Sequence, residues 1–298
     1  MSTKGRVHTP VVMFTGKGGV GKSTIATAWA VASAHAGHRT LLVDFDGRSS
    51  CAGSFNRTAF APQPENIAPL LDAIALDARV ALDEYLKQNG QGRLARRLGA
   101  TGLLDIVSSA VPGMREILLL GRVKAFERSG AYDRIVIDGY AAGHTLRLMS
   151  SPQGFLDAVK VGPIRNQATE ALALVSDPAR FSVALVTLPQ TTPLLELAEM
   201  EAALVQVHGV AVSLVFVNEC HHDPGVPPSA SKLIAAFSSA PSSEFITAAR
   251  TVWSAEHERA RAESSARSAL ETSAERVEVP VMHRDHGDVI FQIAGVLQ

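Results

Sequence analysis

Residues 14–24 read FTGKGGVGKST, and the spacing inside them decides the fold. Gly16-Lys17-Gly18-Gly19-Val20-Gly21-Lys22-Ser23 fits G-x-x-x-x-G-K-[ST], the pattern of a loop that cradles phosphate. An apolar run, 11–15, precedes it, and an alanine-rich helical stretch, 23–36, follows and stops at Gly37, a residue suited to a left-handed helix cap. A glycine loop between strand and helix brings free backbone N–H groups and the positive end of the helix dipole onto one anion. Glycine permits the close backbone approach and the dihedrals that such a nest needs. In this arrangement Lys22 reaches the β- and γ-phosphates of a nucleotide and the Ser23 hydroxyl ligates Mg²⁺. Gly16, Lys17, Gly18, Gly19, Val20, Gly21, Lys22, Ser23 and Thr24 are therefore the candidate nucleotide-binding residues. A phosphate loop needs only one lysine, so Lys17 calls for a separate explanation.

Working outward, the runs 40–43, 134–137, 183–188 and 212–217 are short, continuous and rich in Val, Ile and Leu. That composition suits parallel strands covered on both faces, and helical stretches lie between them. The fold class is α/β: a mostly parallel central sheet with helices on both faces. A phosphate loop also needs a carboxylate on a neighbouring strand, and Asp138 closes the apolar run in YDRIVIDG, where it would hold the magnesium shell. Asp44 and Asp46 end the second run near the same carboxyl edge, and either one could orient an attacking water.

Two stretches break the alternation. Residues 63–130 read as mostly helical, most clearly over 78–87, where Val80, Leu82, Tyr85 and Leu86 alternate with Asp83, Glu84 and Lys87. Residues 239–276 read as a polar, charge-laced helix, and 223–228 as a proline-containing loop. We expect residues 1–298 to form a single domain with helical embellishments at 63–130 and 150–181. Composition narrows the function classes. A formal net charge of -1 over 298 residues provides no chain-wide field for nucleic acid or an anionic membrane. Two cysteines, Cys51 and Cys220, cannot make a disulfide framework and fit a reducing, cytoplasmic setting. The first ten residues lack an apolar signal core, and no run reaches the ~18 apolar residues of a membrane span, so no stable membrane insertion is expected. Cys220-His221-His222-Asp223 has the residue types of a metal site without a matching ligand set elsewhere, and reads as a polar loop.

The loop K-G-G-x-G-K-[ST] resembles the deviant Walker A of the dimeric P-loop ATPases that include the Min and Par ATPases, nitrogenase iron protein and the arsenical-pump (ArsA) group. In that class the extra lysine, here Lys17, resembles an arginine finger and reaches the nucleotide of a partner subunit, so the resemblance implies a dimer and a catalytic role for Lys17. Three further stretches resemble the ArsA group, which includes the ATPases that target tail-anchored membrane proteins. DGYAAGHTLRLM (138–149) is similar to that group's second switch, D-T-A-P-T-G-H-T-L-R-L, with GHTLRL intact and Gly139-Tyr140-Ala141-Ala142 departing from it. LVTLPQTTPLLELAEMEAAL (185–204) is similar to its following strand and helix. LVFVNEC places Asn218 where the family recognises adenine, and VEVPVMHRD (277–285) resembles the loop whose backbone, near Val281, closes over the base.

The departures also carry information. The family's first switch, D-P-A-H-[NS], survives here only as Asp46 in Asp46-Gly47-Arg48-Ser49-Ser50. Asp46 is assigned to positioning water and, with Asp138, to holding Mg²⁺ through water; Asp44 is the weaker candidate. The cysteines by which relatives bind zinc or arsenite are missing, and the client-binding helical region is reduced to 150–181. This shortened form resembles actinobacterial ArsA-like proteins that occur as paralogous pairs. The expectation is a Mg²⁺-dependent ATPase, with Lys17, Lys22, Asp46 and Asp138 as catalytic residues and ATP/ADP as ligand. It would work as a homodimer or a heterodimer with a paralogous subunit, through dimer closure on an unidentified client. The alternative is a nucleotide-binding scaffold subunit with little turnover. A membrane-positioning ATPase would instead want a basic amphipathic C-terminal helix, which GDVIFQIAGVLQ is not.

Overall fold

The computed structural model describes residues 9–45, 51–88, 90, 93, 112–236, 241–282 and 288–298. Among them, β1 (Val11–Gly16), β2 (Thr40–Asp44), β3 (Glu65–Ala68), β4 (Leu71–Ala75), β5 (Arg134–Ala141), β6 (Phe181–Thr187), β7 (Val212–Cys220) and β8 (Glu275–Pro280) form one sheet in the order β3-β4-β2-β5-β1-β6-β7-β8. Every neighbouring pair is parallel except β3 with β4. The fold is thus the expected α/β class, a mostly parallel central sheet covered by helices.

The apolar runs are continuous because both faces are covered. Along β1, Val12 and Phe14 enter one core with α1 (Lys22–His35) and the C-terminal helix Val289–Leu297, whereas Val11 and Met13 enter the opposite core. The second core is closed by α3 (Met114–Ser129), α4 (Ala142–Ala158), α5 (Pro163–Val175) and α6 (Thr191–Ala202). In the first core, Phe14, Trp29 and Phe216 pack with ring centroids 5.5–6.3 Å apart. Each fully buried ring contributes about 1.5–3 kcal/mol. The cluster clamps α1 between β1 and β7, two residues before Gly16 on one strand and two before Asn218 on the other.

A smaller core joins α2 (Ala78–Gln88) to α3 and to α4 and α5, through Leu82, Leu86, Ile117, Leu118 and Phe155. These helices fall mostly within the stretches 63–130 and 150–181 expected to be helical. Arg122 of α3 pairs with Glu84 of α2 and lies 5.0 Å from the Phe126 ring centroid; burial lowers its pKa.

Three expectations are corrected. The helical reading of 63–130 gives way at its start to β3 and β4, where Leu71, Ala73 and Ile74 are buried and the connection turns through Leu70 at φ 58°. Helix α2 matches the expected 78–87, while 89, 91–92 and 94–111 of that stretch lie outside the described residues. The helical reading of 239–276 holds for α8 (Ser243–Ser268), with α7 (Ala230–Ala235) before it, and then fails: Glu275 and Arg276 open β8. In β8, Val277 and Val279 point inward and charged neighbours outward, so the first four residues of the expected loop 277–285 belong to an edge strand. Finally, β5 continues three residues past Asp138, held there by Thr15, whose hydroxyl donates to the Tyr140 carbonyl at 2.8 Å.

Candidate nucleotide site

The phosphate-loop residues lie at the carboxyl end of β1, the middle of the sheet, with β5 on one side and β6 on the other. Gly16 runs so close to β6 that a Cβ there would sit 2.1 Å from the Val186 carbonyl oxygen, so only glycine fits. Lys17, Gly18 and Gly19 are exposed, and nothing lies within 4 Å of a Cβ built on Gly18 or Gly19. Val20 turns back into the core at 3% exposure. Gly21 takes the left-handed conformation, φ 87° and ψ 22°, and caps α1 without any side-chain hydrogen bond. Its carbonyl accepts the Ile25 N–H at 2.9 Å, while the N–H groups of the first turn have no carbonyl behind them in the helix. The result is an open cradle of backbone donors at the positive end of a helix, which fits a phosphate chain.

The two lysines behave differently. Lys22 Nζ donates to the Lys17 carbonyl at 3.0 Å, which folds it back over the loop. Lys17 points out of the loop and pairs through Nζ with Glu196 of α6, with its side chain 61% exposed. Ser23 and Thr24 stand half-buried in the first turn. Asp138 is level with Phe14 on one side and with the buried Asp44 on the other, so both carboxylates occupy adjacent strands below the loop. The donor set, a hydroxyl and carboxylates at one sheet edge, is of the hard-oxygen type that Mg²⁺ takes. Asp46, with the rest of the altered first switch, lies outside the described residues.

Next to the loop, a cavity of about 550 Å³ opens between Gly21 and Thr24 on one wall and Asn218, Glu219 and Val281 on another. Its volume lies within the range of small-ligand sites. β7 and β8 slip register between Val217 and Cys220, and Glu219 adopts φ 58° within this bulge. The bulge turns Asn218, 5% exposed, toward α1, where Nδ2 donates to the Val20 carbonyl at 3.0 Å. Val281 follows by pairing its N–H with the Cys220 carbonyl at 3.1 Å. Four candidate residues from distant parts of the chain, Gly21, Thr24, Asn218 and Val281, thus share one cavity. The remainder of the expected base loop, 283–285, lies outside the described residues.

Several participants escaped the sequence reading. Glu196 gives no periodic signal that would single it out among the acids of its helix. Thr15 and Thr145, both fully buried, share a hydroxyl hydrogen bond at 2.8 Å in which Thr145 donates, and Thr145 Oγ1 also lies 3.0 Å from the Tyr140 carbonyl oxygen, tying β1 to the GHTLRL segment. Gly139, a departure from the family's threonine, lies against β1: a Cβ there would be 2.7 Å from the Phe14 carbonyl oxygen and 2.4 Å from Met13 Cε. Asp288 caps the last helix by accepting the Ile290 N–H at 2.8 Å and lines the same cavity; an aspartate before an apolar run is a legible cap signal. In the Cys220–Asp223 loop, His221 contacts Glu263 at 2.8 Å and His257 contacts Asp223 at 2.6 Å. Burial pushes the Cys220 thiol up to about 11.

Residues 9–173 match the anion-transporting ATPase family. The ATPase BagA of Mycobacterium tuberculosis is 32% identical over 221 residues, which cover 69% of this chain and 64% of that protein. The ATPase GET3C of Arabidopsis thaliana is 32% identical over 176 residues, 52% of this chain and 45% of that protein. The matched region therefore spans less than two thirds of either relative. Among the described residues no helix is long and apolar enough to cross a membrane.

Proposed function

Because the chain belongs to the anion-transporting ATPase family, of the ArsA type, we propose that it binds ATP with Mg²⁺ at the β1–α1 loop and hydrolyses it. The observation that carries this reading is the meeting of an open, glycine-built cradle of backbone donors with a ligand-sized cavity that Gly21 and Thr24 line on the loop side and Asn218 on the other. Lys22 and the first-turn N–H groups of α1 bind the phosphates, and Asn218 and Val281 bind the base. Ser23 and Asp138 are the residues that would hold Mg²⁺, Asp138 through water, and the ion supplies neutralisation of phosphate charge when bound. Asp46 orients the attacking water.

Lys17 acts in trans. Two subunits face each other, and each lends this amine to the triphosphate held by its neighbour, where charge in the transition state is worth ~10³ to 10⁵ in rate. In the isolated chain the same amine rests on Glu196, and closure of the dimer exchanges that carboxylate for the phosphate. Segments following Asp46 and Asp138 respond to the γ-phosphate and pass the change to a client protein, an order change of the kind nucleotide switches use. Residues 1–298 act as one domain in the cytoplasm. The second subunit of this assembly is either another copy of this chain or a paralogous subunit.

Phosphate release from the purified protein, alone and mixed with a paralogous subunit, with Mg²⁺ and with chelator, tests the proposal. Turnover that needs Mg²⁺ supports it. A second reading, a nucleotide-locked scaffold, is favoured by the loss of proline and histidine after Asp46; it predicts tight ATP binding with no phosphate released in either mixture.

A further inference from the structure

We propose that Asn218 is a positioning residue of the phosphate loop, setting the direction of the Val20–Gly21 peptide and so linking occupancy of the base cavity to affinity for the phosphate chain. The inference rests on the nucleotide reading above and adds to base recognition a second role for the same side chain.

The contact joins residues 198 positions apart in sequence. Asn218 comes from the bulged end of β7 and is buried at 5% exposure. Val20 O can only accept a hydrogen bond, so the carboxamide atom facing it at 3.0 Å must be the NH₂ group. The approach is close on two sides. The same Nδ2 lies 2.4 Å from where a Cβ on Gly21 would be, so the amide touches both residues of one peptide unit and tolerates only glycine at position 21. That peptide is trans, as are the others among the described residues. In a trans unit the C=O and N–H point in opposite directions. With Val20 O held toward Asn218, the Gly21 N–H is turned away from it and joins the N–H groups that open α1. A flip of this peptide would instead aim a carbonyl oxygen at the phosphate. Gly21, at φ 87°, has the freedom to allow such a flip, and nothing in its own covalent structure forbids it. The buried amide supplies the missing constraint.

The same residue lines the 550 Å³ cavity, so a base bound there orders the carboxamide that orients the loop. The Phe14–Trp29–Phe216 cluster holds the two elements in register: Phe216 and Asn218 are two apart on β7, on the face turned toward α1. The base end and the phosphate end of the site are thereby coupled through one side chain rather than binding independently.

Base-free inorganic tripolyphosphate separates this role from base recognition. Its affinity and that of ATP are measured by calorimetry, with Mg²⁺, for the wild type, Asn218→Ala and Asn218→Asp, alongside thermal midpoints. The inference predicts that Asn218→Ala weakens tripolyphosphate by about tenfold or more, the effect of losing a buried hydrogen bond that orients the binding groups. Asn218→Asp weakens it further, since a carboxylate cannot donate to Val20 O. Loss of ATP affinity with tripolyphosphate affinity unchanged overturns the inference and leaves Asn218 as a base contact alone. A lowered thermal midpoint with unchanged tripolyphosphate affinity overturns it likewise. A wild type that binds neither ligand overturns the nucleotide reading itself, and this inference with it. Should the variants fail to fold, the wild type decides the matter: in ¹⁵N spectra the Asn218 side-chain NH₂ signals shift when tripolyphosphate is added, and signals that stay still at saturation refute the coupling.

Discussion

Glu196→Gln tests the part of the account that concerns Lys17. The wild-type pair is partly exposed, with side-chain exposures of 61% for Lys17 and 33% for Glu196. An ion pair so placed is worth about 0.2–1 kcal/mol, which gives a clasped-to-free ratio of roughly 1.4 to 5. Lys17 is then free for roughly 16–40% of the time, and the apparent affinity of any process that needs the free amine falls by the same fraction. Glutamine keeps the shape and removes the charge, raising the free fraction toward one, a gain of roughly 2.4- to 6-fold per subunit. A symmetric dimer releases two clasps, so the gain is squared to roughly 6- to 40-fold in the dimer dissociation constant. Sedimentation equilibrium with a non-hydrolysable ATP analogue measures it. Salt provides a second readout, since screening weakens the clasp in the wild type and has nothing to screen in the variant. The difference between the two proteins narrows as salt rises. An unchanged or weaker dimer in Glu196→Gln at low salt refutes the exchange of Glu196 for phosphate.

Further outcomes follow from the same geometry. Lys22→Ala abolishes ATP binding, whereas Lys17→Ala retains it and loses phosphate release by ~10³-fold or more; calorimetry and a phosphate assay distinguish them. Restoring the family's residue with Gly139→Thr forces a Cβ against the Phe14 carbonyl and Met13, overpacking that costs about 1–3 kcal/mol. At about 2–4 °C per kcal/mol the melting temperature drops by roughly 2–12 °C, and an unchanged midpoint would show that β1 and β5 yield freely. With its thiol held near 11 by burial, the Cys220 peptide takes up iodoacetamide at pH 8 at least ~100-fold more slowly in the folded protein than in urea. Mass spectrometry reads the labelling, and equal rates contradict the burial.

The central strands and the loop were legible because the signals there are local. A glycine pattern of fixed spacing sits between a run buried on both faces and an alanine-rich helix, and each of the three implies the others. Asn218 and Val281 were named through resemblance, and the fold brings both to the lining of one cavity. Short edge elements were not. β3 and β8 are half exposed and carry Glu, Asn and Arg, so their two-residue period is faint beside the helical composition around them. Side-chain meetings were the least legible of all. Lys17 with Glu196, Thr15 with Thr145, and Asn218 with Val20 are separated by 179, 130 and 198 residues, and periodicity along a chain carries no information about which side chains meet across a sheet edge. Gly139 shows the same limit from the other side. It looks like a lost switch residue in the sequence, yet in the fold it is the position where β5 leaves no room for a side chain against β1.

Mixing two inactive variants measures the central claim most directly. Lys17→Ala subunits bind ATP and lack the amine their neighbour needs; Lys22→Ala subunits cannot hold ATP and still carry Lys17. In an equimolar mixture half of the dimers are mixed, each with one complete site, so phosphate release returns to about one quarter of the wild-type rate. A mixture as inactive as its two components, or Lys17→Ala alone turning over at the wild-type rate, would contradict catalysis by a lysine lent across the dimer.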